Sequence, residues 1–159
     1  MPLVIDGYNL LWSVQKTGKG SESFTDVQLC HILDKYLKLI GDSGLIVFDG
    51  IGPPDKRGFD SVRGLEIYFV GKNTDADSYI EEKIRQNSAP RSLVIVSSDR
   101  RIRKAARTRK AISLKSEIFW ADVQRELNRK NKDSEPPQKT QGLTEAETRY
   151  WLRVFGFEV

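Results

Sequence analysis

The chain has 159 residues, 38% of them hydrophobic and 30% charged, which suits one soluble domain with its own core. It holds one cysteine (Cys30) and one histidine (His31), which excludes an intrachain disulfide, a Cys/His zinc site and a Ser-His-Asp triad. The net charge of +4 is a mild lean toward polyanions, no apolar stretch approaches the length of a membrane span, and Met1-Pro2 leads straight into Leu3-Val4-Ile5, so the expected compartment is the reducing cytoplasm, with no membrane partner.

Short apolar runs alternate with helical patterns, as expected for a parallel sheet with crossover helices. The runs in chain order are 3–5, 45–48, 65–70, 93–96 and a weaker one at 111–114. Between the first two, Leu29, Ile32, Leu33, Tyr36, Leu37 and Ile40 keep helical spacing, with Thr25 or Asp26 to cap the start and Gly41 to stop it. A second helix is expected near Asp77, burying Ile80 and Ile84, and a third after Asp99. A fourth runs from about Ser116 with Phe119, Val123 and Leu127 on one face. Residues 128–142 contain no apolar side chain. They divide the chain into a domain over 1–130, a polar linker over 131–142, and an amphipathic tail helix over 143–159. In that tail Tyr150, Trp151, Val154 and Phe155 form an apolar stripe that docks on its own core, on a partner, or on a second subunit, which would give self-association.

Three aspartates close strand-like runs: Asp6 ends LVID, Asp49 ends LIVFD and Asp99 ends LVIVSSD. In open parallel sheets the carboxyl edge is where ligands bind. Asp77, at the start of the helix after the third strand, belongs to the same edge, with Asp75 two residues before it. Each has a plainer reading: Asp49 can shape a turn before Gly50, and Asp77 and Asp99 can cap helices. Four unrelated caps need not share one edge, however. Two carboxylates about 4 Å apart repel by roughly 4 kcal/mol at an effective dielectric of 20, so such a cluster calls for a cation. With no His or Cys ligand to offer, all-oxygen coordination points to Mg²⁺ or Mn²⁺ and to phosphoryl chemistry.

The stretch VIDGYNLL at 4–11 resembles the opening of NYN domains, in particular the YacP-like group of PIN-superfamily ribonucleases. IVFDG at 46–50, TDADSYIEEKI at 74–84 and VIVSSD at 94–99 match that group in order and spacing, so the resemblance spans about residues 2–128. It implies an α/β, PIN-like three-layer fold with a central, mostly parallel sheet of order 3-2-1-4-5, extended here by the tail helix. It further implies that Asp6, Asp77 and Asp99 hold the metal, that Asp49 is an accessory acid beside them, and that Asn9 supplies an amide to metal or scissile phosphate. Asp122 is the nearest counterpart of the family's final acid. The implied activity is metal-dependent endonucleolytic cleavage of single-stranded RNA, leaving a 5′-phosphate and a 3′-hydroxyl, in RNA processing or translation-linked decay. RNA, with ribosome-associated messenger or ribosomal RNA as candidates, is the implied partner.

Residues 100–110, RRIRKAARTRK, hold seven basic side chains and no acid. Arg100, Arg103, Lys104 and Arg107 share a face, with Arg101 beside them, and can guide a phosphate backbone or simply be solvated. Lys56 and Arg57, in the loop after Asp49, can extend that track. Tyr8 and Trp12, at helical or turn positions after the first strand, either stack on bases or pack in the core. A non-catalytic RNA-binding module is the competing reading of the same residues. A haloacid-type phosphatase also uses a strand-end Asp but wants a second one two residues later, where this chain has Tyr8.

Overall fold

A computed structural model describes residues 2–17 and 24–133, with side chains to 129. Five strands, β1 (Leu3–Asp6), β2 (Gly44–Phe48), β3 (Leu65–Phe69), β4 (Val94–Val96) and β5 (Ile112–Leu114), form one sheet in the order 3-2-1-4-5. Each adjacent pair is parallel. The central strands are continuously apolar because helices cover both faces. Side chains nevertheless alternate between two cores. Leu3, Ile5, Ile46, Phe48, Val94 and Val96 meet α1 (Gly7–Thr17), α2 (Asp26–Ile40) and α5 (Ser116–Asp133). Val4, Val47 and Ile95 meet α3 (Ala76–Gln86) and α4 (Arg100–Thr108) on the other side. This is the three-layer α/β fold that the strand-helix alternation implies.

Helix α2 keeps the limits read from sequence. Thr25 and Gln28 form a reciprocal capping box, and the chain leaves through Gly41 at φ 71°, a left-handed conformation that suits glycine. Helix α3 is capped by Asp75, whose side chain accepts from Ser78 N at 2.6 Å. Helix α5 continues to Asp133, past the boundary drawn at 130 on composition. Residues 128–133 (NRKNKD) are polar yet contain neither Gly nor Pro, so nothing in them stops a helix before Pro136 and Pro137. The tail helix expected over 143–159, and the rest of the linker, lie outside the described residues. Among the described residues no helix is long and apolar enough to cross a membrane.

One element that periodicity does not separate from the first strand is α1. It starts at Gly7 with no connecting loop after Asp6. A Cβ on Gly7 would lie 2.4 Å from the Phe48 ring, so only glycine lets the chain turn there against β2. Leu10, Leu11 and Val14 bury the inner face of α1, which leaves Tyr8 and Trp12 outside.

Candidate active site at the carboxyl edge of the sheet

Asp6, the last residue of the central strand, sits at the floor of a cleft of about 460 Å³ lined also by Asn9, Trp12, Asp49, Asp77 and Asp99. Four distant stretches of sequence converge there because β1, β2 and β4 are neighbours that end at one edge. The same edge receives the amino end of α3.

Each acid is placed by a different device. Asp6 is almost wholly buried, and its Oδ2 accepts a 2.8 Å hydrogen bond from the hydroxyl of buried Ser97. Ser97 Oγ in turn accepts from Asp99 N at 3.1 Å, so one hydroxyl ties the Asp6 carboxylate to the backbone carrying Asp99. Asp99 caps α4, its Oδ1 accepting from Arg101 N at 2.9 Å and Ile102 N at 3.3 Å. Asp49 Oδ1 accepts from Ala76 N at 2.6 Å, pinning the first residue of α3 against the end of β2. That contact delivers the next residue, Asp77, to the cleft. Capping and site-building therefore coincide: Asp49 and Asp99 hold helix ends with one oxygen while lining the cleft.

Burial pushes the Asp6 carboxyl up to about 6, the Ser97 hydroxyl opposes the rise, and Asp77, Asp49 and Asp99 add to it through their charge. The Asp77 carboxyl is also raised, first by burial and then by Asp99, Asp49 and Asp75, with Arg101 pulling the other way. The acids thus sense one another across the cleft. Among the described residues no three His, Cys, Asp or Glu side chains form a ready-made metal-binding group. The carboxylate oxygens that four aspartates bring to this open cleft are hard donors of the kind Mg²⁺ or Mn²⁺ takes. Mg²⁺ keeps several waters and takes one or two carboxylates together with substrate phosphates rather than a closed protein cage.

Asn9 lines the cleft while its Oδ1 accepts from Ser98 N at 2.9 Å and from Ser116 Oγ at 2.6 Å, bracing α1, the β4–α4 turn that bears Asp99 and the start of α5 against one another. Ser97, Ser98, Ser116 and Glu117 complete this brace, with Ser98 donating to Glu117 Oε2 at 2.7 Å and accepting from Ser116 N at 3.0 Å. Sequence reasoning did not single out these residues, although the doubled serine before Asp99 and the Ser-Glu pair opening α5 were visible. Asp75 caps α3, and Asp122, the suggested final acid, lies elsewhere. It is fully buried between α5 and α2, accepts from Tyr36 Oη at 2.6 Å, and does not line the cleft.

The basic residues divide. Arg100, Lys104 and Arg107 are exposed on α4, and Arg103 is half-buried. Arg101 pairs with Glu81 and donates to Ser78 Oγ at 3.3 Å, so it fastens α4 to α3. Arg57 pairs with Asp55 at 3.0 Å in the exposed loop after β2, and Lys56 stands 5.7 Å from the Phe69 ring.

A family description of the YacP-like NYN domain matches residues 3–152. The chain belongs to that family. The NYN domain seen here shares its fold with the crystal structure of Rae1 (YacP) from Bacillus subtilis, at TM-score 0.66 and 19% identity over 84% of this chain and 79% of that one. A tryptophan-to-leucine variant of the same Bacillus subtilis protein superposes at TM-score 0.62 and 20% identity, covering 80% of this chain and 77% of the other. No curated protein matches the sequence. In this NYN domain the strand-end acids and the edge they share belong to a nuclease-type fold.

Proposed function

We propose that the protein is a metal-dependent endoribonuclease that cuts single-stranded RNA and leaves a 5′-phosphate and a 3′-hydroxyl. The observation that carries this reading is the convergence of Asp6, Asp49, Asp77 and Asp99 on one cleft, with the Asp6 carboxyl raised first by burial and further by the other three acids. Burying one carboxylate among three others is unfavourable unless a cation offsets the charge. Asp6, Asp77 and Asp99, with Asp49 beside them, would hold Mg²⁺ or Mn²⁺. Such an ion supplies charge neutralisation on the scissile phosphate and a lowered pKa for the attacking water.

The chain's own residues do the rest. Ser97 orients the Asp6 carboxylate, and Asn9 and Ser116 fix the turn bearing Asp99. Asp49 clamps the start of α3 so that Asp77 reaches the cleft. Arg100 and Arg107 lead away from the cleft along the exposed side of α4, where a phosphate backbone can follow them.

The test is cleavage of single-stranded RNA in Mg²⁺ or Mn²⁺, in EDTA, and by an Asp77→Asn variant, with the new ends mapped. Cutting is expected only with metal and intact Asp77. Cleavage that survives chelation sinks the metal reading, and firm RNA binding without any cleavage replaces the enzyme by a binding module.

A further inference from the structure

Among the described residues the exposed large apolar side chains are Tyr8, Trp12, Ile51 and Tyr68. Two of these four stand on the wall of the acidic cleft, one helical turn apart on α1. Trp12 is the most exposed of the set at 60%, and leaving an indole in water forgoes one of the larger apolar burials available to any side chain.

The neighbourhood of the pair identifies an occupant. Tyr8 rests on Phe48 with centroids 4.8 Å apart, and Phe48 stacks on Phe69 at 5.2 Å, so its ring is braced from behind. Helix α1 continues from β1 without a loop, which sets where both residues stand relative to Asp6. The Lys16 ammonium lies over the Trp12 ring, 3.6 Å from its centroid, a cation that an incoming base would displace toward its own phosphate. An aromatic face, an adjacent cation and a neighbouring acid cleft together match a planar base, its phosphate and the next phosphate along a strand. A peptide side chain would satisfy the ring but would give no role to the acids beside it.

We propose that Trp12, with Tyr8 one turn before it on α1 and Lys16 at its face, is the stacking platform for an unpaired nucleobase next to the scissile phosphate. The inference rests on the ribonuclease reading and adds to it the source of single-strand preference. A base inside a duplex already has both faces stacked, so it has none to offer Trp12. Because every base has a π-face, the platform sets strandedness and register with little choice of sequence.

The test compares wild type, Trp12→Ala and Trp12→Phe on a short single-stranded RNA with one cleavage site, and on the same RNA with an abasic nucleotide beside that site. Trp12→Ala should raise KM about ten-fold with kcat little changed. That equals about 1.4 kcal/mol, inside the roughly 1–3 kcal/mol measured per stacked base. Trp12→Phe should recover most of the loss. The abasic RNA should cost wild type a similar factor and Trp12→Ala nothing further. Unchanged KM in Trp12→Ala, with wild type cutting normally, overturns the platform and leaves the ribonuclease reading standing. A loss that Phe does not restore and that persists on abasic RNA also overturns it, by assigning Trp12 a role in the fold. A wild type that neither binds nor cuts RNA removes the ribonuclease reading and the platform together.

Discussion

Asp6 and Asp122 are both buried aspartates whose carboxyls are pushed up to about 6, and burial is the leading cause at each. What surrounds them is different. Asp122 sits between helices, is held by the Tyr36 hydroxyl at 2.6 Å, and has Glu126 and Arg125 as its charged neighbours. Asp6 opens onto a cleft where the next three contributions to its rise, after the opposing Ser97 bond, are other aspartates. A shifted carboxyl alone therefore marks burial. Mutual repulsion among acids from separate strands at an accessible edge is what marks a place for a cation.

The comparison breaks most visibly in the rate of RNA cleavage. Asp6→Asn should lower it by roughly 10²–10³-fold, the scale found when one preorganised electrostatic group is removed from an active site. Asp122→Asn, which can still accept from Tyr36, should stay within a few-fold of wild type. Equal losses in the two variants would mean that Asp6 acts through the fold, as Asp122 does.

Acid stability sharpens the contrast. The ordinary value for both groups is 3.8, so each folded-state carboxyl holds its proton more tightly than the unfolded chain does. The stability that these two groups lend the metal-free protein should accordingly be greatest below about pH 4 and fall as pH rises to about 6. Each aspartate contributes at most about 3 kcal/mol to that fall, at 1.36 kcal/mol per pH unit. Denaturant melts from pH 4 to 7 in EDTA should show a shallower decline in Asp6→Asn and in Asp122→Asn. Excess Mn²⁺ should erase the share of Asp6 and leave that of Asp122. A decline untouched by either substitution would mean that neither carboxyl is raised.

The sheet and its acids were legible because buried parallel strands read as unbroken apolar runs, and an aspartate that ends such a run is conspicuous. Helix α1 was not, since it follows β1 with no intervening loop and only Leu10, Leu11 and Val14 mark its inner face. The hydrogen bonds of Asn9 were hidden for another reason. Its partners Ser98 and Ser116 are 89 and 107 residues away, and no local pattern encodes a bond across that separation. Asp122 was a plausible last acid by chain order alone. Its direction depends on which face of α5 meets α2, which periodicity does not resolve to a single residue.

A smaller effect belongs to the basic face of α4. Replacing exposed Arg100 and Arg107 together with Ala should weaken RNA binding regardless of sequence. The slope of log affinity against log salt should flatten by about 1.4, at about 0.7 per single-strand phosphate contact. Affinity titrations at several salt concentrations measure it, and an unchanged slope would assign both arginines to solvent.

The most direct test of the cation site is a set of melting curves for wild type, Asp6→Asn and Asp122→Asn, each with EDTA and with Mn²⁺. At ten times its dissociation constant a bound ion adds about 1.4 kcal/mol, a rise of roughly 3–6 °C for a domain of this size. Wild type and Asp122→Asn should both show that rise. Asp6→Asn should melt at or above the wild-type temperature without metal, because one mutually repelling charge is gone, and should gain little when metal is added. A rise of the same size in all three proteins, or in none, would contradict a cation site built on Asp6.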